Sequence, residues 1–280
     1  MAAILALSAA VAYGVGDFFG GVAAKRQPAT VVVLWSHAAG LVLMLALVPL
    51  AGGEPTARAL SVGGTAGLVG GGAVALFYRG LSVGTMSIVA PVAALLSAAV
   101  PVLWGLAAGE RPSPTALIGI AVALGAIALV SREPGAAGAG REGRHWLPLA
   151  LAVGAGVGFG LYFVTIGHAG TGVGVWPLVA ARVASVSLFA TLGAVRVTSP
   201  PAPPRSAAGP ILAAGLLDAG ANVCFLVALH HGLMSVVAVL AALYPAGTVL
   251  LARYVLGERL SPLQRAGLGL AAVAAVLIAL

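Results

Sequence analysis

Apolar runs of about 20 residues, the length of a helix that crosses the hydrocarbon core of a bilayer, make up most of this chain. Charged residues are only 8% of its 280 residues, whereas soluble domains carry about 25%. We therefore predict an all-α integral membrane protein that lies in the lipid bilayer. Proline, glycine and charged residues divide the apolar sequence into ten predicted spans: 2–24, 29–51, 60–82, 84–107, 112–131, 146–168, 174–196, 208–230, 233–256 and 261–280.

The charge balance and the cysteine count exclude several other classes of protein. The net charge of +7 comes from basic residues scattered over short connectors rather than gathered in one stripe, so no nucleic-acid partner is predicted. A single cysteine, Cys224, excludes an intramolecular disulfide and a cysteine-based metal site. No Gly-Lys-Ser/Thr follows the glycine clusters, so we predict no nucleotide cofactor, no other cofactor and no metal.

The two halves of the chain repeat each other. Residues 84–90, GTMSIVA, return as GLMSVVA at 232–238, and the turn GERPSP at 109–114 returns as GERLSP at 257–262. This pattern predicts a first repeat over 1–132, a Gly/Ala/Arg linker over 133–145 and a second repeat over 146–280. Five spans in each half place the second copy upside down in the membrane, which is the inverted repeat of many secondary transporters.

The five-plus-five plan, with Gly-Glu-Arg-x-Ser-Pro between the fourth and fifth spans of each half, resembles the EamA-type branch of the drug/metabolite transporter superfamily. The resemblance covers essentially the whole chain. It implies a ten-helix carrier of small metabolites or drugs in the cell membrane, with a cavity between the halves. Substrates in that superfamily include amino acids, nucleotide derivatives, sugars and cationic drugs, so the resemblance does not specify the substrate of this chain.

Two of the seven acidic residues, Asp17 and Asp218, fall inside predicted spans, where a charge costs at least about 2.5 kcal/mol. Asn222 follows Asp218 by one turn on the same helical face. We expect this pair to face the cavity, with a static hydrogen bond between helices as the alternative for Asp218. For Asp17 the alternative is an interfacial position, paired with Lys25 or Arg26.

Arg182 lies about a third of the way into the seventh span, and the repeat aligns it with His37 in the second span. Arg182 is predicted either to bind an anionic group of a substrate or to neutralise Asp218. His37 titrates near neutral pH when it is solvated, so proton coupling and a static hydrogen bond are both open. Trp35, next to His37, is a further candidate for the cavity wall.

The candidate site residues are the polar and aromatic groups inside the spans. Those predicted to bind substrate are Trp35, His37, Tyr78, Tyr162, Arg182, Asp218, Asn222 and Tyr244, and those predicted to couple protons are Asp17, Asp218 and His37. No catalytic residue is predicted.

Prolines inside two spans predict interruptions of the helix. Tyr244-Pro245 in the ninth span, and Pro91 and Pro101 in the fourth, remove backbone hydrogen bonds and favour a kink or an unwound turn. Glycines spaced by four residues, such as Gly63 and Gly67, predict close packing between helices.

The predicted function is gradient-driven transport of a small molecule by alternating access, by a monomer or a homodimer, with proton coupling an open option. The alternatives are a membrane receptor or scaffold that does not transport, and an intramembrane enzyme, for which no zinc or serine-hydrolase motif is present. The distribution of Lys and Arg over the connectors places both termini outside the cell, whereas the family resemblance implies cytoplasmic termini.

Overall fold

The structure, a computed structural model, describes residues 1–84, 86–130, 146–195, 203–255 and 261–279. These residues are helical apart from short connectors. They form α1 (Ala2–Ala24), α2 (Ala29–Ala51), α3 (Ala57–Val83), α4 (Met86–Ala107), α5 (Pro114–Val130), α6 (Trp146–Gly167), α7 (Trp176–Val195), α8 (Arg205–Leu229), α9 (Met234–Ala241), α10 (Tyr244–Val255) and α11 (Pro262–Ala279). The predicted linker over 133–145 and the second Gly-Glu-Arg turn at 257–259 lie outside the described residues.

The all-helical prediction is confirmed for the described residues, and the count of ten spans is supported in part. Six helices are long and apolar enough to cross a membrane, namely α1, α2, α3, α6, α7 and α8. The other apolar helices are shorter, at Val92–Ala107, Pro114–Leu129, Met234–Gly247 and Pro262–Ile278. The first two predicted spans, 2–24 and 29–51, coincide with α1 and α2.

The ninth predicted span, 233–256, is interrupted at Tyr244-Pro245, as the proline predicted, and forms two helices. Helix α9 ends at Ala241 and α10 begins at Tyr244, with a turn between them in which the N–H of Leu243 donates to the carbonyl of Leu240 at 3.2 Å. Pro245 has no N–H to donate back to the carbonyl of Ala241, so an α-helix loses a hydrogen bond at this place. Pro101, by contrast, lies within the unbroken helix α4.

Equivalent helices of the two halves pack against each other. In the repeat, α1 corresponds to α6 and α3 corresponds to α8. The packing of α1 on α8 is therefore matched by the packing of α6 on α3. The equivalent helices α2 and α7 meet near the centre, where His37 contacts Ser185 and Gly40 lies against Arg182. Residue numbers rise along one helix as they fall along the other, so α2 and α7 run antiparallel. Helices α5 and α11 do the same, since Gly119 lies against Ile278.

The glycines of α3 form a close seam with α7. A Cβ atom at Gly63 would overlap the backbone of Pro177, and one at Gly67 would overlap the backbone of Ala181. The predicted packing role of these glycines is confirmed, because the two backbones approach too closely for any side chain.

Polar contacts join the two halves at one end of the molecule, which we call the N-terminal face because Met1 begins α1 there. Arg58 Nε donates to the carbonyl of His168 at 3.1 Å, and Trp176 Nε1 donates to the carbonyl of Gly53 at 3.3 Å. The N–H of Glu54 donates to the carbonyl of Gly172 at 3.3 Å. The connectors α2–α3 and α6–α7 are therefore held together.

A third connector on the N-terminal face reaches the other half through a side chain. The Glu110 carboxylate accepts hydrogen bonds from the N–H groups of Met234 at 2.8 Å and Ser235 at 3.0 Å. These are the first N–H groups of α9, which have no partner within the helix, and Leu233 before them supplies no capping side chain. Glu110 thus caps α9 from the opposite half of the chain.

Candidate functional site

A cavity lies where the two halves meet, with walls from α1, α2, α3 and α4 of the first half and α6, α7, α8 and α10 of the second. The space between its walls, including space open to solvent, is about 680 Å³, of which about 60 Å³ can hold the centre of a water molecule. The apolar walls include Val74, Phe159 and Phe163. The polar side chains that line it are Tyr13, Asp17, His37, Tyr78, Ser97, Tyr162, Arg182, Ser185, Asp218, Asn222 and Tyr244.

An ion pair between Arg182 of α7 and Asp218 of α8 lies in the wall of the cavity. The guanidinium donates from Nη2 to Asp218 Oδ2, and the side chains are 8% and 28% exposed. Gly40 of α2 lies beside Arg182 Nε, and the absence of a side chain there leaves room for the guanidinium. Of the two sequence-based alternatives for Arg182, the structure shows the one in which it pairs with Asp218.

Asn222 connects three helices at the cavity. Its Nδ2 donates to the backbone carbonyl of Asp218 at 2.7 Å and to the carboxylate Oδ2 at 3.3 Å. The hydroxyls of Tyr13 at 2.9 Å and of Tyr162 at 2.5 Å both donate to its Oδ1. The amide therefore holds the Asp218 carboxylate on one side and two phenol groups, from α1 and α6, on the other.

His37 occupies the crossing of α2 and α7 and is buried. Its Nδ1 lies 2.8 Å from Ser185 Oγ, and that hydroxyl donates to the carbonyl of Arg182 at 3.2 Å. A serine hydroxyl carries one proton, so with this bond formed the Nδ1–H of His37 donates to Ser185 Oγ. The imidazole is thus fixed in orientation one turn from the Arg182–Asp218 pair.

Asp17 is the second carboxylate of the cavity. It is half-buried on α1, one turn after Tyr13 and one turn before Gly20, which lies against the hydroxyl of Tyr78. Within the described residues its carboxylate makes no hydrogen bond and no ion pair. The interfacial pair with Lys25 or Arg26, which the sequence left open, is absent from this part of the chain, and the side chain lines the cavity instead.

The structure brings seven of the eight residues predicted to bind substrate to the cavity and leaves out one, Trp35. Trp35 is 37% exposed and is not part of the lining. It precedes His37 by two residues, which is a rotation of about 200° on an α-helix, so the two side chains leave α2 on opposite sides. Its proximity to His37 in sequence was misleading for that reason.

Several lining residues were not predicted from the sequence. Ser97 and Ser185 are small polar residues in apolar helices. From the sequence alone, Phe159 and Phe163 cannot be distinguished from phenylalanines that face lipid. The spacing of Ser185, three residues after Arg182, was the one available signal, because it places both on the same helical face.

Within the described residues there is no group of three or more His, Cys, Asp or Glu side chains arranged to hold a metal ion. The chemistry that the cavity offers is therefore hydrogen bonding by tyrosines, serines and an amide, ionic contact with Asp17, and exchange of partners at the Arg182–Asp218 pair.

One comparison with known proteins identifies a family, and a second identifies a shared fold. The sequence model of the EamA-like transporter family matches residues 1–132 and again residues 146–280. A solved crystal structure, described only as that of a protein, is similar with a TM-score of 0.77 and 18% identity over 99% of this chain and 95% of that chain. At that identity the likeness shows a shared fold. No curated protein matches the chain in sequence.

Proposed function

Because the chain belongs to the EamA-like transporter family, and is thus a multi-pass membrane transporter of the drug/metabolite transporter superfamily, we propose that it carries a small metabolite or drug across the cell membrane by alternating access. The paired Gly-Glu-Arg turns indicated a resemblance to this family, and the match confirms it.

The observation that carries the proposal is the concentration of polar groups in one central cavity of an otherwise apolar body. Polar and ionisable groups are costly in lipid and are found there chiefly along the paths of solutes and protons. Here Asp17, Arg182, Asp218 and Asn222 all line a single space, and both halves of the chain contribute to its walls.

Alternating access is supported by the relation between the halves. Equivalent helices run antiparallel where they meet, as at His37 with Ser185, and the proposed repeats 1–132 and 146–280 flank the linker 133–145. Two inverted copies can exchange conformations and so open one site to either side. Contacts such as Arg58 with His168 join the halves at the N-terminal face, and in our proposal this face is closed while the opposite face gives access.

Proton coupling in this proposal takes place at the Arg182–Asp218 pair. A proton that enters the cavity and binds Asp218 removes the negative charge that holds the guanidinium. Arg182 is then free to reorient, and the polar network through Asn222 to Tyr13 and Tyr162 changes with it. His37 is the neighbouring group through which the proton can pass, since its imidazole contacts the same turn of α7.

The experiment uses the purified full chain in liposomes that contain a pH-sensitive dye. Amino acids, nucleosides, polyamines and lipophilic cations are added outside, and proton movement is recorded. We expect at least one solute to move protons with the wild type and with Glu54→Gln, a control at an exposed acid outside the cavity. Asp218→Asn should lose the solute-driven proton movement and keep its helical content.

Two results would reject the proposal in different ways. Wild-type proton movement in Asp218→Asn would show that coupling occurs elsewhere. Binding of a solute, detected as a rise in unfolding temperature, without any exchange of the labelled solute across the bilayer would identify a receptor rather than a transporter.

A further inference from the structure

The charges that line the cavity do not cancel. Arg182 and Asp218 neutralise each other, and Asn222 adds a hydrogen bond to the same carboxylate. His37 is buried and already donates to Ser185, so as a neutral imidazole it adds no charge. Asp17 remains, and among the described residues its carboxylate has no ion-pair partner and no hydrogen bond. When Asp17 is ionised, the cavity carries one surplus negative charge.

Aromatic side chains line the same cavity as the Asp17 carboxylate. Tyr13 precedes it by one turn on α1, and the hydroxyl of Tyr78 lies against Gly20, one turn after it. Phe159 and Tyr244 line the same space. The faces of aromatic rings attract cations, and the attraction is larger when water is excluded. The cavity therefore combines one unpaired carboxylate with an apolar, aromatic wall.

From this arrangement we propose that Asp17 binds the ammonium group of the substrate, and that the transported solute is a small organic cation with a single positive charge and an apolar or aromatic body. The proposal rests on the transport function proposed above and specifies its substrate class.

The other charge types fit this cavity less well. Among the described residues that line the cavity, Arg182 is the one cation, so an anionic solute must displace Asp218 from it and leave that carboxylate without its partner in a largely buried site. A neutral solute leaves Asp17 unpaired. A monocation satisfies Asp17 and leaves the Arg182–Asp218 pair intact.

The first test compares four solutes of similar shape on the purified wild-type chain by calorimetry. 2-Phenylethylamine is a cation, 2-phenylethanol is neutral, 3-phenylpropanoate is an anion and phenylalanine is a zwitterion. We expect the amine to bind at least about tenfold more tightly than each of the others, equivalent to about 1.4 kcal/mol. Equal affinity for amine and alcohol, or preference for the anion or the zwitterion, would overturn the proposal without any variant being needed.

The second test locates the site. Asp17→Asn should reduce the affinity for the amine to that of the alcohol, whereas Glu54→Gln should bind the amine as the wild type does. Unchanged amine binding in Asp17→Asn would overturn the role of Asp17.

Exchange of labelled solutes across liposomes, taken as the excess over exchange in liposomes without protein, then separates this inference from the transport function. Exchange of 3-phenylpropanoate without exchange of the amine would uphold transport and reject the cation. Binding of the amine at Asp17 without exchange of any of the four solutes would uphold the cation site and reject transport.

Discussion

Arg182 and Asp218 place opposite charges in a region where an unpaired charge is poorly tolerated. The guanidinium is the more buried of the two, and Asp218 keeps contact with the cavity, being 28% exposed. Removing one partner of a buried pair leaves the other charge uncompensated, which costs more than the pair itself contributes. The two residues should therefore be strongly coupled in stability.

A double-mutant cycle measures this coupling. We expect Arg182→Met to lower the free energy of unfolding by about 2 kcal/mol, below the usual range for buried pairs because Asp218 is partly hydrated. Adding Asp218→Asn to Arg182→Met should restore most of that loss, because no lone charge remains. Reversible unfolding in detergent gives both values, and additive losses in the double variant would show that the pair is not energetically coupled.

At the scale of helices, the bounds could be predicted because each span must match the thickness of the bilayer. Runs of about 20 apolar residues are a strong signal, and α1 and α2 coincide with their predicted ranges. The break between α9 and α10 was predicted as a site of interruption from Tyr244-Pro245, but its consequence, two separate helices, was not.

The inward faces of the helices were harder to predict. A soluble helix reveals its buried face by apolar periodicity, but here both lipid and neighbouring helices favour apolar residues, so the periodicity disappears. Polar residues such as Asp218 and Asn222 still marked the cavity, because lipid excludes them. Phe159 and Trp35 carry no such mark, and for this reason the first was missed and the second was misplaced.

The seam between α3 and α7 allows a matched comparison within one helix. A Cβ at Gly67 would overlap the backbone of Ala181, whereas a Cβ at Gly64 would meet no atom within 4 Å. We expect Gly67→Ala to lower the unfolding temperature clearly. Gly64→Ala should leave it unchanged or raise it, since alanine favours a helix over glycine by about 0.5–1 kcal/mol. Equal unfolding temperatures for the two variants would contradict the close approach of these helices.

Glu110 stabilises the start of α9 through its two hydrogen bonds to backbone N–H groups. A negative charge at this position also interacts favourably with the helix dipole. We expect Glu110→Ala to reduce the free energy of unfolding by about 1 kcal/mol, the usual effect of losing an N-terminal cap. Thermal unfolding in detergent checks this, with Glu54→Ala as the control, and an equal effect of the two changes would contradict the capping role. The corresponding Glu258 lies outside the described residues.

At the scale of the whole molecule, the two halves are joined at the N-terminal face by backbone and side-chain contacts between connectors. Gly53 with Trp176, Glu54 with Gly172, and Glu110 with α9 would all have to separate for the cavity to open there. These hydrogen bonds contribute net about 0.5–1.5 kcal/mol apiece, and the proposed alternating access requires that they break and re-form in each cycle.

The central claim is that the cavity is open to each face in turn, and distance measurement by pulsed electron resonance in liposomes tests it without knowledge of the substrate. One spin-label pair at Glu54→Cys and Thr171→Cys reports on the N-terminal face, and a second pair at Lys25→Cys and Trp146→Cys reports on the opposite face, both in a Cys224→Ser background.

We predict two distance populations for each spin-label pair. In the state in which the labels on the N-terminal face are close together, the labels on the opposite face should be far apart, and the reverse should hold in the other state. A single, unchanging distance for both pairs under all conditions would contradict alternating access and identify a static membrane protein.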